Sequence, residues 1–379
     1  MTSRSVRACG PTTAGVLSAV ALACATVALP AAAATTGPAQ VPAAAPQGAA
    51  ATATVPPDQV NRARQRTSFD LEGHRGTRGL RPEDTLPAFA KALDIGVRTL
   101  ELDTGVTKDG VVIVSHERSI APLVCTDTAP VVPGDPQFPY VGKTYHELTF
   151  AQVETVDCGS RHPTNPATDP YFASQLPVPG TRIPTLDQVF ALVEQRHAAG
   201  VQLNIETKID PTQPQQTLAP EAFTRADLAV IWRHQGGIAR SLLQSFDWRT
   251  LDVARRLAPQ LRRVALVGTD TVEAGQPGGS PWLDGLDVDT FGGDIAAAAA
   301  DRRVRADVLS PDYALLTGQL LASAHRHDEV VVPYTVDDVR SMLRLVDLGV
   351  DGLISDYPDR LRDVLGSLGF ALPRRYPAR

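Results

Sequence analysis

The sequence predicts an α/β fold, a (β/α)8 TIM barrel interrupted by one insertion after the third strand segment. Three observations predict it. From residue 67 onward, short apolar runs alternate with helix-like segments, the pattern of parallel strands joined by crossover helices. The alternation repeats one unit over residues 67–365, a length that suits a single barrel of this type. No Gly-x-Gly-x-x-Gly follows the first apolar run, which disfavours the rival, a doubly wound dinucleotide-binding sheet.

Taken in chain order, residues 1–34 carry Arg4 and Arg7, no acid, an apolar run from Ala14 to Leu29, and then small residues. This reads as a secretory signal peptide, too short for a membrane anchor, and predicts a secreted, extracellular protein. Residues 35–66 are rich in Ala and Pro without hydrophobic periodicity, as expected of a flexible leader. Strands are expected at 69–74, 99–103, 111–116, 202–208, 241–246, 264–267, 307–310, 330–336 and 352–356. Helices are expected at 85–95, 186–199, 223–234, 249–257, 313–325 and 336–348. Nine strands are one too many for the barrel. Only about seven residues join Asp103 to Val111, fewer than a parallel crossover usually needs, so this step is either unusually tight or a hairpin. Residues 119–182, rich in Pro, Asp, Thr and Gly, read as an insertion over one barrel end, too poor in apolar residues for a core of its own. Residues 366–379 are left as a tail.

Composition excludes some functions. Lys and Arg total 36 against 42 Asp and Glu, a formal charge of −6, the wrong sign for nucleic-acid binding through a basic field. No later stretch is long and apolar enough for stable membrane insertion. Cys9 and Cys24 fall in the signal, so the exported chain keeps Cys125 and Cys158. Two thiols in an exported protein read as one disulfide, worth roughly 3 kcal/mol in the chain-entropy account.

The chemistry gathers at strand ends. In Thr99-Leu100-Glu101-Leu102-Asp103, alternation turns the leucines toward the helices and both acids inward; Asn204, Glu206 and Lys208 repeat the pattern. Converging carboxylates repel and resist desolvation. They call either for a divalent cation with oxygen ligands, Mg²⁺ or Ca²⁺, or for a buried ion-pair network with Lys208 or Arg75. His74 and His116 also end strands, on the face where barrel active sites lie. One imidazole can take a proton while the other gives one, as phosphodiester cleavage requires. Arg75 offers a bidentate fork for phosphate and Lys208 a point charge.

These residues, as an ordered set, resemble glycerophosphodiester phosphodiesterases of the secreted bacterial type. The resemblance rests on His74-Arg75-Gly76, Pro82-Glu83-Asp84-Thr85, Glu101-Leu102-Asp103, Thr107-Lys108-Asp109-Gly110, Val114-Ser115-His116 and Ile183-Pro184-Thr185-Leu186. It continues through Ile205-Glu206-Thr207-Lys208, Gln244-Ser245-Phe246, Tyr334-Thr335-Val336-Asp337 and Gly352-Leu353-Ile354-Ser355-Asp356-Tyr357-Pro358. It implies His74 and His116 as the acid/base pair and Glu101, Asp103 and Glu206 as ligands of one divalent cation. Arg75 and Lys208 would clamp the phosphate, with Glu83 close by and Phe246 and Tyr334 as walls of the substrate site. The implied reaction is hydrolysis of a small glycerophosphodiester to sn-glycerol 3-phosphate and an alcohol.

The family usually has Asn at Asp84, Asp at Glu117 and Trp at Tyr334. Asp84 is expected to cap the following helix all the same, and Tyr334 to keep an aromatic wall with a polar tip. Asp356 is expected to cap the next turn rather than touch the site. His146, His162, His197, His234, His325 and His327 match no motif. Two rival functions are a phospholipase of the same barrel type acting on lysophospholipids, which needs an apolar patch near the active face, and a non-catalytic phosphodiester-binding protein. Headgroup preference and oligomeric state are not legible in the sequence.

Overall fold

A computed structural model describes residues 69–160, 171 and 173–378. The expected signal peptide at 1–34, the leader at 35–66 and His162 lie outside the described residues. The alternating segments become nine strands: β1 (Asp70–Gly73), β2 (Thr99–Val106), β3 (Val112–Val114), β4 (Gln202–Thr207), β5 (Ser241–Ser245), β6 (Arg262–Val267), β7 (Val308–Pro311), β8 (Val330–Val331) and β9 (Gly352–Ser355). Eight run parallel in the order β8-β7-β6-β5-β4-β2-β1-β9. Backbone bonds from Asp351 N to Val331 O (3.0 Å) and Ile354 N to Pro333 O (3.1 Å) carry the ring on from β8 to β9, the closed geometry of a (β/α)8 barrel.

The surplus ninth strand is β3. It pairs antiparallel with β2, Thr104 opposite Val114, so the short step after Asp103 is a hairpin. Lengthening β2 to Val106 and turning at Gly110 (φ 82°) makes this possible, since an antiparallel return needs no crossover helix.

Helices pack outside, and their ends follow local capping chemistry. Thr85 accepts from Ala88 N and opens the helix Leu86–Ile95. Thr185 with Gln188 forms a capping box before Leu186–Gln195. The helix expected from residue 313 starts only at Gly318, because Thr317 caps it by accepting from Leu320 N. The one expected from 223 starts at Pro220, whose missing N–H is no loss in a first helical turn. Leu71, Leu100, Leu102, Leu203, Ile205 and Leu243 point outward and join Phe89, Phe190, Phe223 and Trp248 in the main core. Inside the barrel the two halves differ. Leu242, Val264, Val308, Val332 and Ile354 form an apolar cluster. Opposite them, Asn204 Nδ2 donates to Glu72 Oε2 and to Gln244 Oε1, both at 3.0 Å.

The insertion buries more than its composition promises. Ile120, Tyr140, Leu148, Val153 and Val156 pack around the Cys125–Cys158 disulfide, but the cluster is completed by Ile113 of β3 and Ile183. Its core is therefore borrowed in part from the barrel. At the other end, Phe370 packs edge-on against Phe69 (5.4 Å), and Tyr376 N donates to Leu93 O (2.8 Å), so the tail lies along the barrel.

The disulfide spans 33 residues. Replacing Cys125 and Cys158 with Ser is expected to cost roughly 3 kcal/mol, read as a lower thermal midpoint. Intact mass before and after reduction should reveal two new thiols; free thiols in the untreated protein would contradict the bridge.

Candidate active site

The tight turn after β1 places the first pair of groups. Gly73 and Gly76 leave no room for side chains: a Cβ on Gly73 would stand 2.2 Å from Gly76 O, and one on Gly76 would stand 2.7 Å from Ala88 C. Between them Arg75 adopts φ 47°. The turn projects His74 and Arg75 over the carboxyl end of the barrel. Register brings the acids beside them, since Asp103 of β2 lies opposite Glu206 of β4. His116 follows β3, Phe246 follows β5, and Tyr334 follows β8.

His74, Arg75, Glu101, Asp103, His116, Glu206, Lys208, Phe246 and Tyr334 line one cavity of about 200 Å³. Nine of the ten substrate, catalytic and acidic positions expected from sequence therefore converge. Glu83 stands behind Arg75 and lines a separate, smaller cavity. Its Oε1 accepts from Arg75 Nη1 (2.7 Å) and its Oε2 from Arg78 Nε (2.6 Å). Burial would raise the Glu83 carboxyl, but Arg75 and Arg78 hold it at about 2.

Glu101, Asp103 and Glu206 are 2, 1 and 5% exposed, with ligand oxygens all within 4.8 Å of one another. Glu101 receives Gln244 Nε2 (2.6 Å) and Arg75 N (2.8 Å). Lys208 Nζ lies 3.2 Å from Asp103 Oδ1 and 2.9 Å from Glu206 Oε1. Arg75 Nε is 3.4 Å from Asp103 Oδ2, a buried oxygen that accepts no hydrogen bond among the described residues. Burial and Asp103 push Glu101 well above the usual carboxylate range. Burial raises Glu206 to about 8 against the pull of Lys208. Burial also opposes ionisation of Asp103, but Lys208, His116 and Arg75 outweigh it and keep that acid charged.

An ion-pair network is thus present, and it does not neutralise the cluster. Arg75 and Arg78 are engaged by Glu83, Lys208 serves two carboxylates, and Glu101 has only neutral donors. Three carboxylates on rigid strands with one orphaned oxygen form a donor set that fits a hard divalent cation. The acidic cluster can therefore hold a metal ion.

The two imidazoles sit in unlike settings. His74 Nδ1 meets Asp356 Oδ1 at 2.5 Å, while its Nε2 lies 4.0 Å from Glu101 Oε2. His116 Nδ1 meets Glu117 Oε1 at 2.9 Å, and that glutamate is half exposed. Burial lowers both, His116 to about 4 with Lys208 adding to the effect. Along one wall, Phe246 and Tyr334 meet edge to face at 5.6 Å, and Lys208 Nζ lies 5.9 Å from the Phe246 ring.

Two capping expectations are corrected. Asp356 makes no cap: the helix Pro358–Ser367 has no side-chain cap bond, and the carboxylate is spent on His74 and on Tyr171 Oη (2.6 Å). Asp84 also makes no cap, because Thr85 takes that role. Asp84 adopts φ 54° and turns inward, 3.4 Å from Asp103 N. Burial and Asp103 push its carboxyl well above the usual range. Sequence alone points to Asp356 as a cap and does not single out Arg78, Gln244 or Tyr171 as site residues. The signal for Asp356 was its place at the end of the last barrel strand, where a polar side chain faces the mouth. Among the unmatched histidines, His234 bonds Asp187 and Glu194, and His325 bonds Asp351; among the described residues none of them lines the cavity.

Residues 74–360 match the sequence profile of the glycerophosphoryl diester phosphodiesterase family. A glycerophosphodiester phosphodiesterase from Caldanaerobacter subterraneus subsp. tengcongensis is 26% identical over 288 residues, 76% of this chain and 94% of that protein. One from Bacillus subtilis is 25% identical over 297 residues, 77% of this chain and 84% of its own. A crystal structure from Silicibacter pomeroyi, provisionally assigned as a glycerophosphoryl diester phosphodiesterase, superposes with a TM-score of 0.66 at 28% identity, over 80% of this chain and 95% of that one. A phosphodiesterase from Oleispira antarctica, solved with the product sn-glycerol-3-phosphate, shares the fold at 20% identity and a TM-score of 0.55, covering 78% of this chain and 96% of that one. With its barrel, its acidic cluster and a profile match spanning most of its length, the chain belongs to the glycerophosphoryl diester phosphodiesterase family and is a phosphodiesterase.

Proposed function

We propose that this enzyme hydrolyses small glycerophosphodiesters to sn-glycerol 3-phosphate and an alcohol, with His74 and His116 as its general acid/base pair. The observation that carries the reading is the meeting of both imidazoles, three acids and three cationic side chains on one cavity. Its roughly 200 Å³ suits a compact polar diester of the size of the product seen in the Oleispira antarctica protein.

One imidazole accepts the proton of the hydroxyl whose oxygen bonds to phosphorus, either water, which gives the product directly, or the glycerol 2-hydroxyl, which gives a cyclic phosphate that water then opens to sn-glycerol 3-phosphate. The other protonates the departing alkoxide as its bond to phosphorus breaks. Both rings are lowered by burial, which favours neutral imidazole as proton acceptor. Arg75 and Lys208 offset charge on the phosphoryl oxygens, and Phe246 and Tyr334 form an apolar wall for the alcohol portion. A divalent cation, Mg²⁺ or Ca²⁺, held by Glu101, Asp103 and Glu206 would polarise the phosphoryl group. We further propose that the protein is exported, in keeping with its disulfide and the basic-then-apolar start of the sequence.

A second reading, cleavage of lysophospholipids, is favoured by one observation. Leu123, Val131, Val132 and Leu176 of the insertion are exposed, Leu123 by 81%, and Leu176 N bonds Leu80 O near the mouth (3.0 Å).

His74→Ala and His116→Ala are each expected to lower turnover by about 10²-fold or more without loss of fold; near-native turnover would remove that residue from the mechanism. EDTA should abolish activity and added Mg²⁺ or Ca²⁺ restore it, whereas full activity after thorough chelation would reject the metal assignment. A coupled assay for glycerol 3-phosphate across choline, ethanolamine, glycerol and inositol diesters tests the substrate class. Release of the same alcohols only from long-chain lysophospholipids would favour the second reading.

A further inference from the structure

The two histidines differ in what stands behind them. The Asp356 carboxylate behind His74 is 1% exposed and fully committed. One oxygen meets His74 Nδ1 at 2.5 Å, and the other accepts from Tyr171 Oη at 2.6 Å. Its own backbone N–H donates to Asp337 Oδ1 (2.9 Å), which anchors the chain at this position. Both oxygens are thus engaged by protein partners, and Asp356 does not itself line the cavity.

Tyr171 comes from the insertion, more than 180 residues from Asp356 in sequence. It is held on two sides. The Arg78 guanidinium lies 4.8 Å from its ring centre, and the Tyr357 ring packs against it at 6.5 Å. The neighbouring segment is stitched to the same two regions: Ser174 Oγ meets Tyr357 Oη (3.0 Å), Gln175 Nε2 donates to Arg78 O (2.7 Å), and Leu176 N donates to Leu80 O (3.0 Å).

We propose that Asp356 is the positioning residue of His74 and that Tyr171, supplied by the insertion, orients Asp356. The inference rests on the reading of His74 as a proton-transfer residue. A carboxylate that accepts from Nδ1–H holds the neutral ring in one tautomer, with the Nε2 lone pair facing the cavity. The Nε2 position, 4.0 Å from Glu101 Oε2, is on the cavity side as this requires. Tyr171 occupies the second oxygen, so the carboxylate cannot swing away from the ring. The insertion then becomes part of the catalytic apparatus and not only a cover.

The test combines Asp356→Asn, Tyr171→Phe and His74→Ala with ¹⁵N NMR of histidine-labelled protein, the His74 signals being assigned from the His74→Ala spectrum. In the native protein, neutral His74 should carry its proton on Nδ1, and Asp356→Asn should disturb that signature. The same variant should lower kcat by about 10²-fold while KM stays within about threefold. Tyr171→Phe should lower kcat by about tenfold, also with KM kept. Thermal midpoint and Ca²⁺ affinity by calorimetry should stay near native in both. An inactive His74→Ala beside an Asp356→Asn of near-native kcat would overturn the role of Asp356 alone. A native His74 protonated only on Nε2 would overturn it too, without need of a folded variant. Unchanged kcat in Tyr171→Phe would remove the insertion from the arrangement. Near-native turnover in His74→Ala would overturn the underlying reading of that histidine as well.

Discussion

Three carboxylates buried at one barrel mouth, with too few cations among them, constrain the rest of this structure. At a separation of about 5 Å and an effective dielectric of about 20, each pair repels by about 3 kcal/mol. The polypeptide relieves part of this with Lys208, placed between Asp103 and Glu206. It relieves another part with Arg75, whose backbone N–H also serves Glu101. Burial, together with the repulsion that remains, raises the Glu101 and Glu206 carboxyls. The same arrangement makes the mouth a place where a cation and an anionic phosphodiester are welcome together.

That constraint explains the uneven barrel interior. The strands that carry the acids, with their neighbours, line their half with Glu72, Asn204 and Gln244, joined by hydrogen bonds from Asn204 Nδ2 and Gln244 Nε2. The other half is filled by Leu242 of β5 together with Val264, Val308, Val332 and Ile354. The apolar half supplies packing stability and reaches the cavity wall at Tyr334. The polar half supplies chemistry. Glu83 belongs to this division of labour: by gripping both Arg75 and Arg78, it holds the guanidinium that faces the cavity in place.

The insertion ties distant parts of the chain to this centre. Its satellite core shares Ile113 with β3, the strand that delivers His116. Its far end returns past the loop that follows His74, where Gln175 and Leu176 bond Arg78 and Leu80. Both imidazoles are therefore backed by elements the insertion contacts, one through β3 and one through Tyr171 and Asp356.

Local pattern alone determined the barrel class, most strand positions and the inward placement of Glu101, Asp103, Glu206 and Lys208, because period-two alternation fixes which face a strand residue occupies. Motif order pointed to the family and to the histidines and cationic side chains that line the cavity. Tertiary structure decided the rest. The hairpin at β3 depends on which partner β2 accepts, and sequence spacing left two answers. Asp84 and Asp356 each stand just before a helix or turn, where capping is the common local outcome. Packing against strands far away in the chain turned both inward, Asp84 toward Asp103 and Asp356 toward His74. Caps and alternation are settled by neighbours a few residues apart, whereas a hydrogen bond across 282 residues exists only once the barrel has closed.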